Sequence, residues 1–325
     1  MAAKTPKTPK TPKASAAPRV VALGGGHGLY ATLQALRHVA GDITAVVTVA
    51  DDGGSSGRLR EELGALPPGD LRMALAALTE DTEWGRTWSS VLQHRFTGAG
   101  PLRGHAVGNL LIASLWEQLG DPVEGLDWVG RLLSAQGRVL PMASVPLVVS
   151  ADVVTATGRS RVVGQSNVAK AVGRLEHLQL EPVDPSGCPE AIDAVGMADW
   201  VIMGPGSWYT SVLVHLLVPD LAAALHHTKA RRCLTMNLGT DTETAGLGVV
   251  DHLTALHELA PDLRFDVVLV DPDHVDDVGA AAVAAQQLGA TLVVRHMAMR
   301  DGSARHDPLR LAAAYRDVFD GHWSR

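Results

Sequence analysis

The chain has 325 residues, 46% hydrophobic and 19% charged, with a formal net charge of −7 and two cysteines, Cys188 and Cys233. That length and apolar content suit a large core, as one big domain or two smaller ones. The negative charge argues against broad affinity for nucleic acid or anionic membranes. Two cysteines exclude a disulfide framework and suit a reducing compartment. With no apolar run of membrane-spanning length and no signal-peptide core in the sequence, a cytoplasmic protein without nucleic-acid binding or membrane insertion is expected.

Residues 1–18 carry Lys4-Thr5-Pro6, Lys7-Thr8-Pro9 and Lys10-Thr11-Pro12. Repeated proline and like charge prevent a packed core, so this reads as a disordered basic tail ahead of one α/β domain over 19–325. Arg19–Leu23 is a short apolar strand, followed by Gly24-Gly25-Gly26-His27-Gly28 and a helix from Leu29 to about Val39. Gly26-x-Gly28-x-x-Ala31 fits the dinucleotide-binding fingerprint, in which glycines form the turn and admit phosphate to the backbone; Gly25, Gly26 and Gly28 are candidate contacts. No Gly-Lys-Ser/Thr ending follows, so this is not a Walker A loop.

Ile43–Val49 predicts a second strand, and the stretch after it is the richest in the chain. Asp51, Asp52, Gly53, Gly54, Ser55, Ser56 and Arg58 lie between that strand and a helix over Arg58–Leu63. A tight turn needs one capping residue, Asp51 or Ser56. The glycines here also admit a ligand to the backbone, successive N–H groups can form an anion nest, and the carboxylates suit ribose hydroxyls or Mg²⁺. Asp70, after Pro67-Pro68-Gly69, reads as the cap of a helix over Leu71–Leu78. Helical patterns continue through Trp84–His94, Val107–Leu119 and Leu126–Leu133, so 58–134 reads as a mainly helical subdomain. Gly104-His105-Ala106-Val107-Gly108-Asn109 is either a close-packed helix start or a ligand contact through Asn109.

Strands are expected at Val145–Val149, Val153–Thr157 and Ala198–Met203, with Leu178–Cys188 a proline-rich connection. After Met203 comes Gly204-Pro205-Gly206-Ser207-Trp208-Tyr209-Thr210-Ser211 and a helix through Leu217. Ser207 suits the N-cap, and the N–H groups beyond it could hold a phosphate, with Gly206 and Thr210 beside it; a plain βα turn is the alternative. Further strands are expected at Arg232–Asn237, Phe265–Val270 and Thr291–Val294. The acidic run Asp271, Asp273, Asp276, Asp277 lacks the glycine and closing glutamate of a calcium loop and better complements a helix N-terminus. Arg305, beyond the last strand, is placed to pair with a phosphate.

Strands alternating with helices make this a Rossmann-like α/β fold, a mostly parallel sheet with helices on both faces and the helical subdomain inserted. Its glycine-rich loops, Gly24–Gly28, Ala50–Gly57 and Gly204–Ser211, are expected to converge beyond the C-terminal strand ends around a nucleotide diphosphate. His27 and His105 read as loop or helix-start residues, and no catalytic residue is assigned.

The glycine run at 24–28, Thr48–Arg60, Pro67–Arg72, Gly104–Leu110, Gly137–Pro141 and Gly204–Ser211 together resemble the gluconeogenesis factor family, the YvcK-type proteins grouped with the CofD-like transferases. The resemblance covers roughly Arg19 to Tyr315, and the alanine-rich composition looks actinobacterial. It implies binding of a UDP-sugar such as UDP-N-acetylglucosamine and a cytoplasmic role in central-carbon balance and cell-shape or wall homeostasis on gluconeogenic carbon. On this reading no cofactor is required, Mg²⁺ is admissible, and a homo-oligomer and an unidentified regulatory protein partner are both compatible. Against the family pattern, Thr240–Thr244 replaces Gln-Pro-Gly-Glu-Thr, Leu247 stands where an aromatic is common, and Met73 stands where many members have Asn. Two alternatives remain. One is a CofD-type enzyme joining a phosphorylated three-carbon acid to a deazaflavin alcohol with a nucleotide-activated donor and Mg²⁺. The other is an NAD(P)-dependent oxidoreductase.

Overall fold

Short apolar runs become the strands β1 (Arg19–Gly24), β2 (Asp42–Val47), β3 (Arg138–Pro141), β4 (Val148–Thr155), β5 (Gly158–Val163), β6 (Arg174–Glu181), β7 (Trp200–Met203), β8 (Arg231–Thr235), β9 (Val267–Val270) and β10 (Thr291–Val294) in a computed structural model that describes residues 17–239 and 242–323. Seven form one parallel sheet in the order β3-β2-β1-β7-β8-β9-β10. Every residue of β7 and β9 is buried, as expected for a parallel sheet covered on both faces. The chain winds outward from β1 to β3, returns to β7 beside β1, and winds out the other way. The order therefore reverses between β1 and β7, the switch point where open α/β sheets bind ligands. The basic-tail expectation falls on residues 1–16, outside the described residues.

Helices α1 (Gly26–Leu36), α2 (Gly54–Leu63), α3 (Gly69–Leu78), α4 (Glu83–Gln93), α5 (Val107–Leu119) and α6 (Pro122–Leu132) follow the first strands, the last five between β2 and β3. After β5 come a single turn, α7 (Gln165–Val168), then α8 (Pro189–Met197), α9 (Pro219–His227), α10 (Val249–Leu259), α11 (Val278–Gln287) and α12 (Pro308–Phe319). Helix α1 packs against both α3 and α12, and the buried Tyr315 hydroxyl bridges Thr32 of α1 (3.3 Å) and Thr235 of β8 (3.0 Å). No single described helix is long and apolar enough to cross a membrane. Cys188 and Cys233 are both buried and free.

Three expectations change. The glycine runs at Gly26–Gly28 and Gly54–Gly57 are first helical turns rather than loops, because Gly26 (φ 56°) and Gly54 (φ 50°) supply the left-handed step that starts each helix. The strands expected at Val145–Val149 and Val153–Thr157 are one strand, β4, with a bulge in its pairing to β6 between Ser150 and Asp152. Beside it lie β5 and β6, which complete a separate antiparallel sheet in the order β5-β4-β6; β6 includes Leu178–Glu181, expected as connection.

Candidate functional site

At the switch point the turns after β1 and β7 touch backbone to backbone. A Cβ on Gly28 would lie 2.1 Å from the Pro205 carbonyl oxygen, so this helical position must be glycine for the turns to meet. Asn237, after β8, holds the second turn from both sides: the Gly206 N–H donates to Asn237 Oδ1 (2.8 Å), and Asn237 Nδ2 donates to the Gly206 carbonyl (2.8 Å). Above them lies a cleft of about 670 Å³, lined by Gly25–Gly28, Asp70, Gln165, Pro205–Ser207, Asn237–Gly239, Met299 and Ala304–His306 among others, a volume suited to a small organic ligand. The expected Gly25, Gly26, Gly28, Gly206, Ser207 and Arg305 thus come together from three segments. Sequence reasoning misses Asn237, because a strand-end asparagine has no pattern of its own.

The acidic end of the cleft differs from expectation. Asp70 is not a cap: it is the second residue of α3, whose N-cap is Pro68. Its carboxyl reaches the first turn, where a Cβ on Gly25 would lie 2.6 Å from Asp70 Oδ2, and it accepts from the Gly26 N–H. Burial, and then the Asp51 carboxylate, raise its pKa to about 7, against the opposing pull of that hydrogen bond and of Arg72. Asp51 accepts from Gly53 N–H (2.9 Å), and its other oxygen lies 2.8 Å from where a Gly69 Cβ would be. Arg72 interacts electrostatically with both carboxyls and Arg60 with Asp51, and the hard oxygen donors of Asp51 and Asp70 are of the kind that fits Mg²⁺.

The rest of the Asp51–Arg58 stretch supports the site from behind. Asp52 Oδ1 accepts from the Ser166 N–H (2.9 Å), fixing the α7 turn. Gly53 is the N-cap of α2, replacing Asp51 or Ser56 in that role. Ser55 and Ser56 are both buried. Ser55 Oγ meets His105 Nδ1 at 3.0 Å and accepts from Asn109 Nδ2 (3.1 Å), while Arg72 Nε donates to Asn109 Oδ1 (2.8 Å) and Arg72 also donates to Gln93. Burial, with Arg58 nearby, pushes the His105 pKa down. Arg58 turns away to donate to the carbonyls of Pro101 (3.1 Å) and Arg103 (2.8 Å). Ser55, Ser56 and Asn109 therefore knit α2, α3 and α5 together, Arg58 ties α2 to the 101–103 loop, and none of the four lines the cleft.

Beyond Ser207 the chain forms a π turn (Trp208–Val212) and a 3₁₀ turn (Leu213–Leu217). The place expected for a phosphate is taken by the buried Glu243 carboxylate, which accepts from the Tyr209 N–H (3.1 Å) and the Thr210 hydroxyl (3.3 Å). Thr210 is buried against that acid rather than exposed to the cleft. Leu247 lines a separate groove with Tyr209, Leu175 and Leu259, so an aromatic there would not stack on a base held in the main cleft. Thr240 and Asp241 lie outside the described residues.

Arg305 arrives on a hairpin after β10, closed by pairing of Ala298 with His306. Its guanidinium donates to Asp301 (3.0 Å) and Ser303 (3.1 Å) and is largely exposed. Asp271 anchors the hairpin: its carboxylate accepts from the N–H groups of Met297 (2.5 Å), Ala298 (2.9 Å) and Asp273 (3.0 Å). Burial alone would raise its pKa, but these three donors outweigh it and hold the carboxyl below its ordinary range. A depressed folded pKa contributes stability that is present above the unfolded pKa of about 4 and lost as pH falls through the folded value. Asp271→Asn is therefore expected to lower the Tm at pH 7 and to flatten its acid limb, and thermal melts from pH 2 to 7 would show it. An unchanged acid limb would remove this anchor. Asp273 and His296 bring ligand atoms within 4.8 Å of Asp271 and of each other, but the Asp271 oxygens are already committed to the backbone.

A family profile described as "2-phospho-L-lactate transferase CofD" matches residues 20–298. The chain belongs to the CofD family. Within it, the chain is 48% identical over 316 residues to a gluconeogenesis-factor homologue of Mycobacterium leprae, covering 94% of this chain and 87% of that one. It is 39% identical over 262 residues to the gluconeogenesis factor of Bacillus subtilis, covering 80% of each. A crystal structure of a UPF0052 family member from Bacillus halodurans superposes with a TM-score of 0.81 at 34% identity, covering 91% of this chain and 98% of that one. The mycobacterial relative is compatible with an actinobacterial origin. For this CofD-family member the cleft at the β1/β7 switch point is the candidate site, with Asp51 and Asp70 as candidate Mg²⁺ ligands.

Proposed function

We propose that this CofD-family protein binds a UDP-sugar of the UDP-N-acetylglucosamine type in the switch-point cleft and acts without turning it over, as a gluconeogenesis factor. The observation that carries the reading is the contact between the two glycine turns. It brings both turns and Ser207 beneath one continuous cleft, with Arg305 toward its β10 side and Asp70, with Asp51 close behind it, toward its β2 side. A diphosphate spanning the turns matches the first two elements, and a bound Mg²⁺ would supply the positive charge that lets a diphosphate approach the carboxylates. General acid–base chemistry needs a tuned side chain beside the reacting bond; Asp70, raised to about 7 and lining the cleft, is such a group, and the reading without turnover assigns it to holding Mg²⁺. The family resemblance supplies the physiological half of the proposal: a cytoplasmic role in central-carbon balance and cell-shape or wall homeostasis during gluconeogenic growth.

The Asp51–Asp70 pair also suits the second reading, transfer of a phospholactyl-type group from a nucleotide-activated donor to a deazaflavin alcohol, in which Mg²⁺ on these carboxylates would neutralise the leaving phosphate. One experiment separates them. UDP-N-acetylglucosamine is expected to raise the Tm with occupancy and to be recovered intact after long incubation with Mg²⁺. Release of UDP, or transfer to the deazaflavin alcohol from its activated donor, would establish the enzyme. Strong stabilisation by NAD(P) instead would overturn the nucleotide class. Arg305→Ala is expected to weaken UDP-sugar binding by about 1.5–3 kcal/mol, the scale of a charge-assisted hydrogen bond. An unchanged Kd in calorimetry would take Arg305 out of the site.

A further inference from the structure

Gln165 is the single residue that the inserted antiparallel sheet and its turns contribute to the lining of the cleft. It opens the α7 turn between β5 and β6. Its amide oxygen Oε1 is buried and has no hydrogen-bond partner, although most buried polar side-chain atoms in folded proteins have one. A buried amide carbonyl without a donor costs free energy unless a ligand completes it.

The position of this residue is imposed from several sides. The Ser166 N–H donates to Asp52 Oδ1 (2.9 Å), and the Gly164 N–H donates to the Val149 carbonyl (2.8 Å). Val168, at the end of the turn, is fully buried. Gly164 adopts φ 95°, and a Cβ there would lie 2.2 Å from Asp52 Oδ2, so glycine is what lets the carboxylate seat beneath the turn. The second carboxylate of the Asp51-Asp52 pair thus acts at one remove, fixing the turn that carries Gln165.

We propose that Gln165 determines which group the ligand carries beyond its diphosphate, by accepting a hydrogen bond from a sugar hydroxyl or acetamido N–H. The inference rests on the UDP-sugar reading and deepens it. Along the cleft the two glycine turns occupy the middle, over β1 and β7. Asn237–Gly239 and the Arg305 hairpin follow β8 and β10 on one side. Asp70 and Gln165 lie on the other, where β2 ends. A neutral amide that shares this end of the cleft with the Asp70 carboxyl suits neutral hydrogen-bond donors, which is the chemistry of a sugar ring rather than of a phosphate. The nucleoside then lies toward the β8 and β10 loops.

The test is calorimetry of UDP-N-acetylglucosamine and of UDP with wild type and Gln165→Leu, in Mg²⁺. Affinity for the sugar nucleotide should fall about tenfold, equivalent to about 1.4 kcal/mol, while affinity for UDP stays within twofold. If Gln165→Leu does not fold, Gln165→Met, of similar length, reads the same difference. Equal loss for both ligands, or no loss for either, overturns the role of Gln165 while leaving nucleotide binding intact. A wild type that binds neither ligand overturns the UDP-sugar reading and this inference with it.

Discussion

Asp70→Asn is expected to abolish Mg²⁺-dependent ligand binding and, at the same time, to raise the melting temperature above neutral pH. Burial and the neighbouring Asp51 raise the Asp70 pKa to about 7, so the folded state holds this proton more tightly than the unfolded chain, whose carboxyl titrates near 4. A raised carboxyl pKa contributes most stability below about pH 4, and that contribution declines as pH climbs toward about 7. Above pH 7 the folded protein carries Asp70 as a buried charge, held there against the repulsion of Asp51. Asparagine keeps the shape and can still accept the Gly26 N–H, but it removes one charge. The Tm gap between variant and wild type should therefore be widest near pH 8 and vanish near pH 4. Millimolar Mg²⁺ should raise the wild-type Tm at pH 8 and leave the variant unmoved. If Mg²⁺ stabilised both proteins alike, the Asp51–Asp70 pair would not be its site.

Gly28→Ala is the second change with a large expected effect. The new methyl would lie 2.1 Å from the Pro205 carbonyl oxygen and 2.5 Å from its carbon. Both obstacles are backbone, and the Gly206 part of that turn is clamped by Asn237. No side chain can swing aside, so α1 and the β7 turn must separate. Overpacking of this kind costs about 1–3 kcal/mol and sometimes more. Here it also opens the surface on which the proposed diphosphate rests. Loss of UDP-sugar binding with a lowered but cooperative thermal transition is the expected result. Wild-type affinity in Gly28→Ala would mean that the contact between the turns does not build the site. Gly26→Ala is a useful contrast: a methyl there meets no atom within 4 Å, so its cost comes from the left-handed φ of 56° alone.

Much of the fold is legible in the amino-acid sequence. The apolar runs at 19–24, 200–203 and 267–270 suit strands buried on both faces, and strand–glycine–helix order makes a doubly wound sheet the natural fold. The same order places the Gly25–Gly28 and Gly206–Ser207 turns at strand C-termini, and Arg305 beyond the last strand. Local composition encodes these features, because burial on both faces and left-handed backbone each demand particular residue types. The polar strand Gly158–Val163 carries no such demand. Nearly all of it is exposed, and only pairing with β4 makes it a strand.

Tertiary structure alone decides which way the polar side chains of the Asp51–Arg58 stretch face. Its composition marks it as the centre of the site, yet Ser55 and Ser56 are sealed against Asn109 and His105, Arg58 holds the 101–103 loop, and Asp52 fixes a turn of the second sheet. The carboxyl that lines the cleft, Asp70, reads in the sequence as a cap. A sequence shows how many hydrogen-bonding groups a segment carries, but the neighbours that satisfy them come from α3, α5 and α7, distant in the chain. Packing of those helices assigns Ser55, Ser56 and Asn109 to the interior and leaves Asp70 and Gln165 facing the cleft.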